Sequence, residues 1–274
     1  MTNITRLQQI SPEISLLQYN ELPVIKLNHS VGRALISLQG AHLFSWTPKA
    51  AQQDVFWLSE IEPFTQGNAI RGGVPICYPW FGPVQSPSHG YARISLWTLS
   101  DYAVSDEKVR LEFSLFSENH LIEAKIAMIF SQQCELIFTH YGQQPAQVAL
   151  HSYFNISHID DISVQGLPTS CFNSLTKQTE SVLSPRRIGE NVDCIYRISG
   201  QPTHTILDPN YARQIQITHQ NASDVVLWNP WHKPTGGMSE QGYKTMVCVE
   251  TARIATLLSP NEQVSVIIRT QPQE

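Results

Sequence analysis

Apolar and polar residues alternate with a period of two along much of the chain, the spacing of a strand with one buried face. In residues 109–115, Val109, Leu111, Phe113 and Leu115 fall on one side and Arg110, Glu112 and Ser114 on the other. Residues 214–218 repeat the pattern, and 162–164 repeat it more weakly. Short β-rich runs at 24–27, 34–38, 96–99, 136–138, 148–150, 246–249 and 264–268 predict further strands. The segment 121–130 offers the best case for a helix, but Ala124, Ile126, Met128 and Phe130 share one side at strand spacing, so it too reads as a strand. Clusters of Pro, Gly, Asn and Ser separate these runs. Many short strands without helices between them predict an all-β sandwich. No linker or repeat interrupts the pattern, so a single domain over residues 1–274 is expected.

Composition narrows the function. Hydrophobic residues make up 42% of the 274, enough for a sizeable core, and exclude a disordered chain. The formal net charge of −5 gives no general attraction to nucleic acid or to an anionic membrane. An anionic ligand would need a local cationic pocket. The polar N-terminus lacks the apolar region of a signal peptide, and no apolar run approaches the ~18 residues of a membrane span. Five cysteines, at 77, 134, 171, 194 and 248, form no CxxC pair and read as reduced thiols of a cytoplasmic protein. Zinc spacings, phosphate loops, dinucleotide fingerprints and the GxSxG elbow are absent from the sequence, so no metal or other cofactor is expected.

Several segments carry chemistry. Arg71 precedes a run in which Gly72, Gly73, Pro75, Pro79, Gly82 and Pro83 fix an irregular backbone among aromatics; it reads either as a surface cation before a turn or as an anion-binding group. In 88–93, His89, Tyr91 and Arg93 would share one face of a loop entering a strand. His151 stands in an apolar strand between Leu150 and Tyr153, where an unpaired imidazole is costly and must have a partner or a task. Glu250 ends an almost wholly apolar strand, an environment that raises a carboxyl pKa and is used to make general bases. Trp228 and Trp231 offer flat faces suited to sugar rings or to plain core packing. Asp193 lies between apolar neighbours and reads as a ligand group or as a loop carboxylate capping nearby N–H groups.

The runs AIRGGVPICYPWFGP, HGYAR, LHSYF, VDCIY, WNPW and YKTMVCVETA, in this order, resemble the D-hexose-6-phosphate mutarotases (glucose-6-phosphate 1-epimerases) of the aldose 1-epimerase superfamily. LQGAHLFSWTP and VFWLSE extend the likeness toward the N-terminus, so it covers most of the chain. The resemblance implies a galactose-mutarotase-like β-supersandwich of stacked, mostly antiparallel twisted sheets. It implies His151 as general acid near the ring oxygen and Glu250 as general base at the anomeric hydroxyl. Arg71 and Arg93 would bind the phosphate, Asp193 would hold sugar hydroxyls, and His89 would line the anomeric end. Some members carry Gln where this chain has Ser88, a substrate-contacting position; the shorter side chain bears on which sugar is preferred.

Mutarotation needs one proton removed from the C1 hydroxyl and one delivered to O5, so an acid and a base suffice without a cofactor. The expected partner is a small molecule, a hexose 6-phosphate, acting on a monomer. A non-catalytic sugar-phosphate-binding or regulatory module on the same fold is the main alternative. A glycosidase would need a second carboxylate near Glu250, for which Asp193 is the candidate.

Overall fold

The computed structural model describes residues 2–273. The chain opens as a meander of β1 (Ile4–Gln9), β2 (Ile14–Tyr19), β3 (Leu22–His29), β4 (Gly32–Ser37) and β5 (His42–Pro48), paired in that order. There follow β6 (Ile76–Cys77), β7 (Thr98–Ser105), β8 (Lys108–Phe116), β9 (Ile122–Phe130), β10 (Cys134–His140), β11 (Ala146–Leu150), β12 (Tyr153–Asn155), β13 (Ser163–Gln165) and β14 (Ser170–Asn173). The remaining strands are β15 (Gln178–Ser181), β16 (Val192–Arg197), β17 (Thr203–Asp208), β18 (Arg213–Gln220), β19 (Asp224–Asn229), β20 (Met246–Leu258) and β21 (Gln263–Pro272). They build two further sheets, one ordered β13-β17-β18-β21-β10-β9-β8-β7 and the other β15-β14-β16-β19-β20-β11-β6, with β12 on β20. Every pairing between these strands is antiparallel. The helical elements among the described residues are short 3₁₀ turns at Ala92–Ile94, Pro209–Tyr211 and Gly242–Thr245. The expected all-β architecture is therefore what the chain forms, and the segment 121–130 gives strand over Ile122–Phe130 rather than helix.

The alternation read from the sequence decides which residues enter the core. Val109, Leu111, Phe113 and Leu115 of β8 are buried, as are Ala124, Ile126, Met128 and Phe130 of β9, their antiparallel neighbour. Each Val, Leu, Ile, Met or Phe side chain among them contributes roughly 1.5–3 kcal/mol by leaving water. Ser114, on the polar side of β8, is nevertheless buried; its hydroxyl donates to Ser100 Oγ at 2.9 Å. The main apolar cluster joins Trp46 of β5, Phe113 of β8 and Val249 of β20, so residues from all three sheets share one core. The run 96–99 is only half strand: Leu96 and Trp97 precede β7, and the buried Trp97 indole N–H donates to Ala92 O at 2.9 Å.

Strand β20 is buried on both faces. Val247 and Val249 point into the main core, while Met246 and Cys248 join a separate cluster with Trp57 and Tyr153 on the opposite face. Glu250 lies on that second face. It does not end its strand: β20 continues to Leu258, and Glu250 sits in the interior opposite Val226 of β19.

Candidate active site

Register brings the suspected residues together. Asp193 of β16 pairs with Trp228 of β19, Trp228 with Cys248 of β20, and Cys248 with Tyr153 of β12. Directly paired residues in an antiparallel sheet point to the same side, so these four side chains form a row across one face. Two residues further along β20, Glu250 returns to that face. On the neighbouring strand, His151 fills the gap between β11 and β12 and reaches it. The His151 Nε2 to Glu250 Oε1 distance is 3.3 Å. His151 is 8% and Glu250 1% exposed, so the pair is buried.

Burial governs the charge of this pair. It pushes the Glu250 carboxyl well above its ordinary pKa, and the nearby Asp193 carboxylate adds to the rise. It pushes the His151 imidazole well below its ordinary value, helped by His89, Arg71 and Arg93. Both shifts favour the neutral pair, in which Glu250 carries the proton and the imidazole nitrogen opposite it accepts. Passing that one proton across the 3.3 Å contact converts the neutral pair to carboxylate and imidazolium without changing its total charge. Glu250 Oε2 and His151 Nδ1 are buried with no hydrogen-bond partner in the protein, which leaves both with unspent hydrogen-bonding capacity.

Two arginines lie close enough to depress both His151 and His89. Arg71 is held from several sides: its backbone N–H donates to Glu62 Oε2 at 2.7 Å, Nε to Gly236 O at 2.9 Å and Nη1 to Tyr153 Oη at 2.9 Å. Arg93 Nη2 donates to Ser88 O at 2.8 Å, so the Ser88 carbonyl orients a guanidinium while its side chain faces solvent. The His89 pKa falls to about 4, first through burial and then through Arg93 and Arg71. His89 Nδ1 accepts from Gly82 N–H at 3.2 Å, which leaves Nε2–H available as a donor. Its ring meets that of His151 edge to face at 5.9 Å. Asp193 is also pushed up by burial, partly countered by Ser174, Lys177 and Lys233.

Two details differ from the sequence reading. Residues 88–93 do not enter a strand: His89 and Gly90 adopt left-handed φ values of 64° and 76°, and a 3₁₀ turn follows at Ala92–Ile94. A Cβ on Gly90 would stand 2.0 Å from Tyr78 O, so only glycine lets this segment fold back and present His89 and Arg93 together. Asp193 is a strand residue, not a loop cap. Tyr153 stands beside His151, Trp228 and Arg71, and the sequence reading gives it no role. Its signal was the i, i+2 spacing from His151, which puts both rings on one side of an extended chain.

His151, Cys248 and Glu250 each offer a ligand atom within 4.8 Å of the others, a set that could surround a metal ion. Burial raises the Cys248 thiol well above its ordinary pKa, as it does the Glu250 carboxyl, so both hold protons that a metal would have to displace.

The aldose 1-epimerase family model matches residues 23–271. Over 265 residues the chain is 55% identical to a Haemophilus influenzae protein provisionally named glucose-6-phosphate 1-epimerase, covering 96% of this chain and 97% of that one. An Escherichia coli protein of the same provisional name is 37% identical over 261 residues, covering 90% and 88% of the two chains. A solved structure of a provisionally assigned mutarotase from Salmonella typhimurium superposes with a TM-score of 0.92 at 31% identity, over 98% of this chain and 97% of that one. The chain belongs to the aldose 1-epimerase family.

Proposed function

We propose that the protein is a hexose-6-phosphate mutarotase that interconverts the α and β anomers of aldohexose 6-phosphates, with Glu250 as general base and His151 as general acid. The observation that carries this reading is the buried 3.3 Å His151–Glu250 contact with two arginines close enough to act on the imidazole. O1 and O5 of an aldose are both bonded to C1, so an acid and a base serving them must themselves be neighbours.

In the forward step the Glu250 carboxylate takes the O1 proton while imidazolium His151 protonates O5. The C1–O5 bond breaks and the C1–O1 bond becomes a carbonyl. The pair is now neutral, the state that burial favours, so the same desolvation that shifts both groups stabilises the site around the open-chain aldehyde. After rotation about C1–C2, O5 attacks the other carbonyl face. His151 then accepts the O5 proton and Glu250 returns one to O1. Each proton transfer contributes roughly 10²–10⁴-fold.

Because C1 must rotate, binding has to come from the far end of the sugar. Arg71 and Arg93 supply it by gripping the 6-phosphate, Asp193 holds ring hydroxyls, and His89 Nε2–H donates near the anomeric end. The names carried by the relatives support this substrate class. Exchange NMR of glucose 6-phosphate and of glucose tests the assignment. Wild type should prefer the phosphate, and Arg71→Ala or Arg93→Ala should each weaken its use roughly ten- to a hundredfold while glucose is little affected. Equal use of both sugars by wild type contradicts the phosphate site, and binding without exchange points to a sugar-phosphate-binding module instead.

A further inference from the structure

Tyr153 connects the two ends of the site. Its ring lies parallel to that of His151, with centroids 4.8 Å apart and planes 11° apart. Its other neighbours are Trp57, stacked at 5.9 Å, and Trp228, edge-on at 5.8 Å. Its hydroxyl accepts the 2.9 Å hydrogen bond from Arg71 Nη1. Its backbone is fixed as well: Tyr153 N–H donates to Gly73 O at 2.8 Å, and Trp57 N–H donates to Tyr153 O at 2.9 Å. The residue is 1% exposed, and burial raises its phenol pKa, so it stays a neutral hydroxyl.

Each contact has a chemical consequence. A guanidinium whose Nη1 is already bound to a fixed hydroxyl loses less freedom on meeting a phosphate. An electron-rich phenol face parallel to an imidazole favours the imidazolium over the neutral ring, opposing the burial that disfavours it. We propose that Tyr153 is a positioning residue of the mutarotase: its hydroxyl presets Arg71 for the 6-phosphate, and its ring supports the protonated form of His151. This rests on the mutarotase reading above and deepens it.

The two halves separate in two substitutions. Tyr153→Phe keeps the ring and removes the hydroxyl; KM for glucose 6-phosphate should rise roughly three- to tenfold, below the full loss of a charged hydrogen bond, while KM for glucose, which lacks the phosphate contact, rises far less. In an Arg71→Ala background the same substitution should have no further effect, because the hydroxyl acts through that arginine. Tyr153→Leu removes the stack; kcat should fall roughly five- to thirtyfold for both sugars, and the limb of the pH profile set by His151 should move to lower pH. A merely structural role predicts a lower melting temperature with equal losses on both sugars and no displaced limb. Thermal melts check that each variant folds, and the Phe arm decides even where the Leu variant does not fold.

An unchanged KM in Tyr153→Phe, or a loss that persists undiminished without Arg71, overturns the proposal while leaving the mutarotase reading intact. A wild type that does not prefer the phosphate overturns the substrate reading first, and this one with it.

Discussion

Replacing Glu250 by Gln separates catalysis from stability in a way that a structural carboxylate could not. The neutral pair binds one proton in the folded protein. In the unfolded chain a free Glu and a free His together bind one proton between about pH 4.3 and 6.5, and none above. The pair therefore leaves wild-type stability independent of pH in that window. Above it only the folded state holds the proton, so stability declines as pH rises toward the raised pKa of the pair. In Glu250→Gln only His151 titrates. Its pKa is lowered in the folded state, so the variant loses stability as pH falls below about 6.5 and loses none through this group above it. Both branches have the same sign in the difference: relative to wild type, the variant gains about 1.4 kcal/mol per pH unit from pH 5 upward. One such unit corresponds to on the order of 3 °C in melting temperature for a chain of this size. Calorimetry of both proteins in matched buffers at pH 5, 6.5 and 8 measures it. The stability difference should shift steadily in the variant's favour as pH rises, while activity falls by roughly 10²-fold or more throughout. A stability difference that does not change with pH means that Glu250 is already ionised in the folded protein, and refutes the buried-proton account.

Other outcomes follow from the same geometry. The pH dependence of anomer exchange should be bell-shaped, and His151→Asn should abolish one limb together with roughly 10²-fold or more of the rate. His42 and His204, both fully buried, have pKa values lowered to about 4 by burial; unfolding below pH 6.5 should therefore take up protons there, and His204→Phe should flatten the acid loss of stability by about 1.4 kcal/mol per pH unit in urea titrations. Gly90→Ala, with its added Cβ 2.0 Å from Tyr78 O at φ 76°, should cost roughly 3 kcal/mol or more and weaken sugar-phosphate use beyond that loss, read by melting temperature and KM together.

Legibility in the sequence followed burial. Strand β18 has one buried side and β8 nearly so, Ser114 excepted, so their side chains alternate visibly in the sequence. Strand β1 is exposed at every position and β15 nearly so, which leaves no apolar signature; β6 and β12 are too short to carry a period. Strand β20 has the opposite problem. Core residues occupy one face and site residues the other, so its first half reads as uniformly apolar and Glu250 looks like a terminus rather than an interior position. The fold-back at 88–93 is not legible in the sequence because the left-handed backbone at His89 and Gly90 breaks the period-two rule that would put His89, Tyr91 and Arg93 on one face. His151 and Glu250 were suspicious as polar groups in apolar surroundings. The tie from Tyr153 to Arg71 was not, because it spans 82 residues of sequence and exists only after β12 has paired with β20.

The central claim is that one buried carboxyl–imidazole pair opens and recloses a phosphorylated aldose. Two-dimensional exchange NMR of glucose 6-phosphate tests it most directly, comparing α–β cross-peak growth for wild type, Glu250→Gln and His151→Asn at one pH. The account predicts rapid exchange with wild type and a fall of roughly 10²-fold or more in each variant, with sugar phosphate still bound. Exchange at the wild-type rate in Glu250→Gln would contradict it.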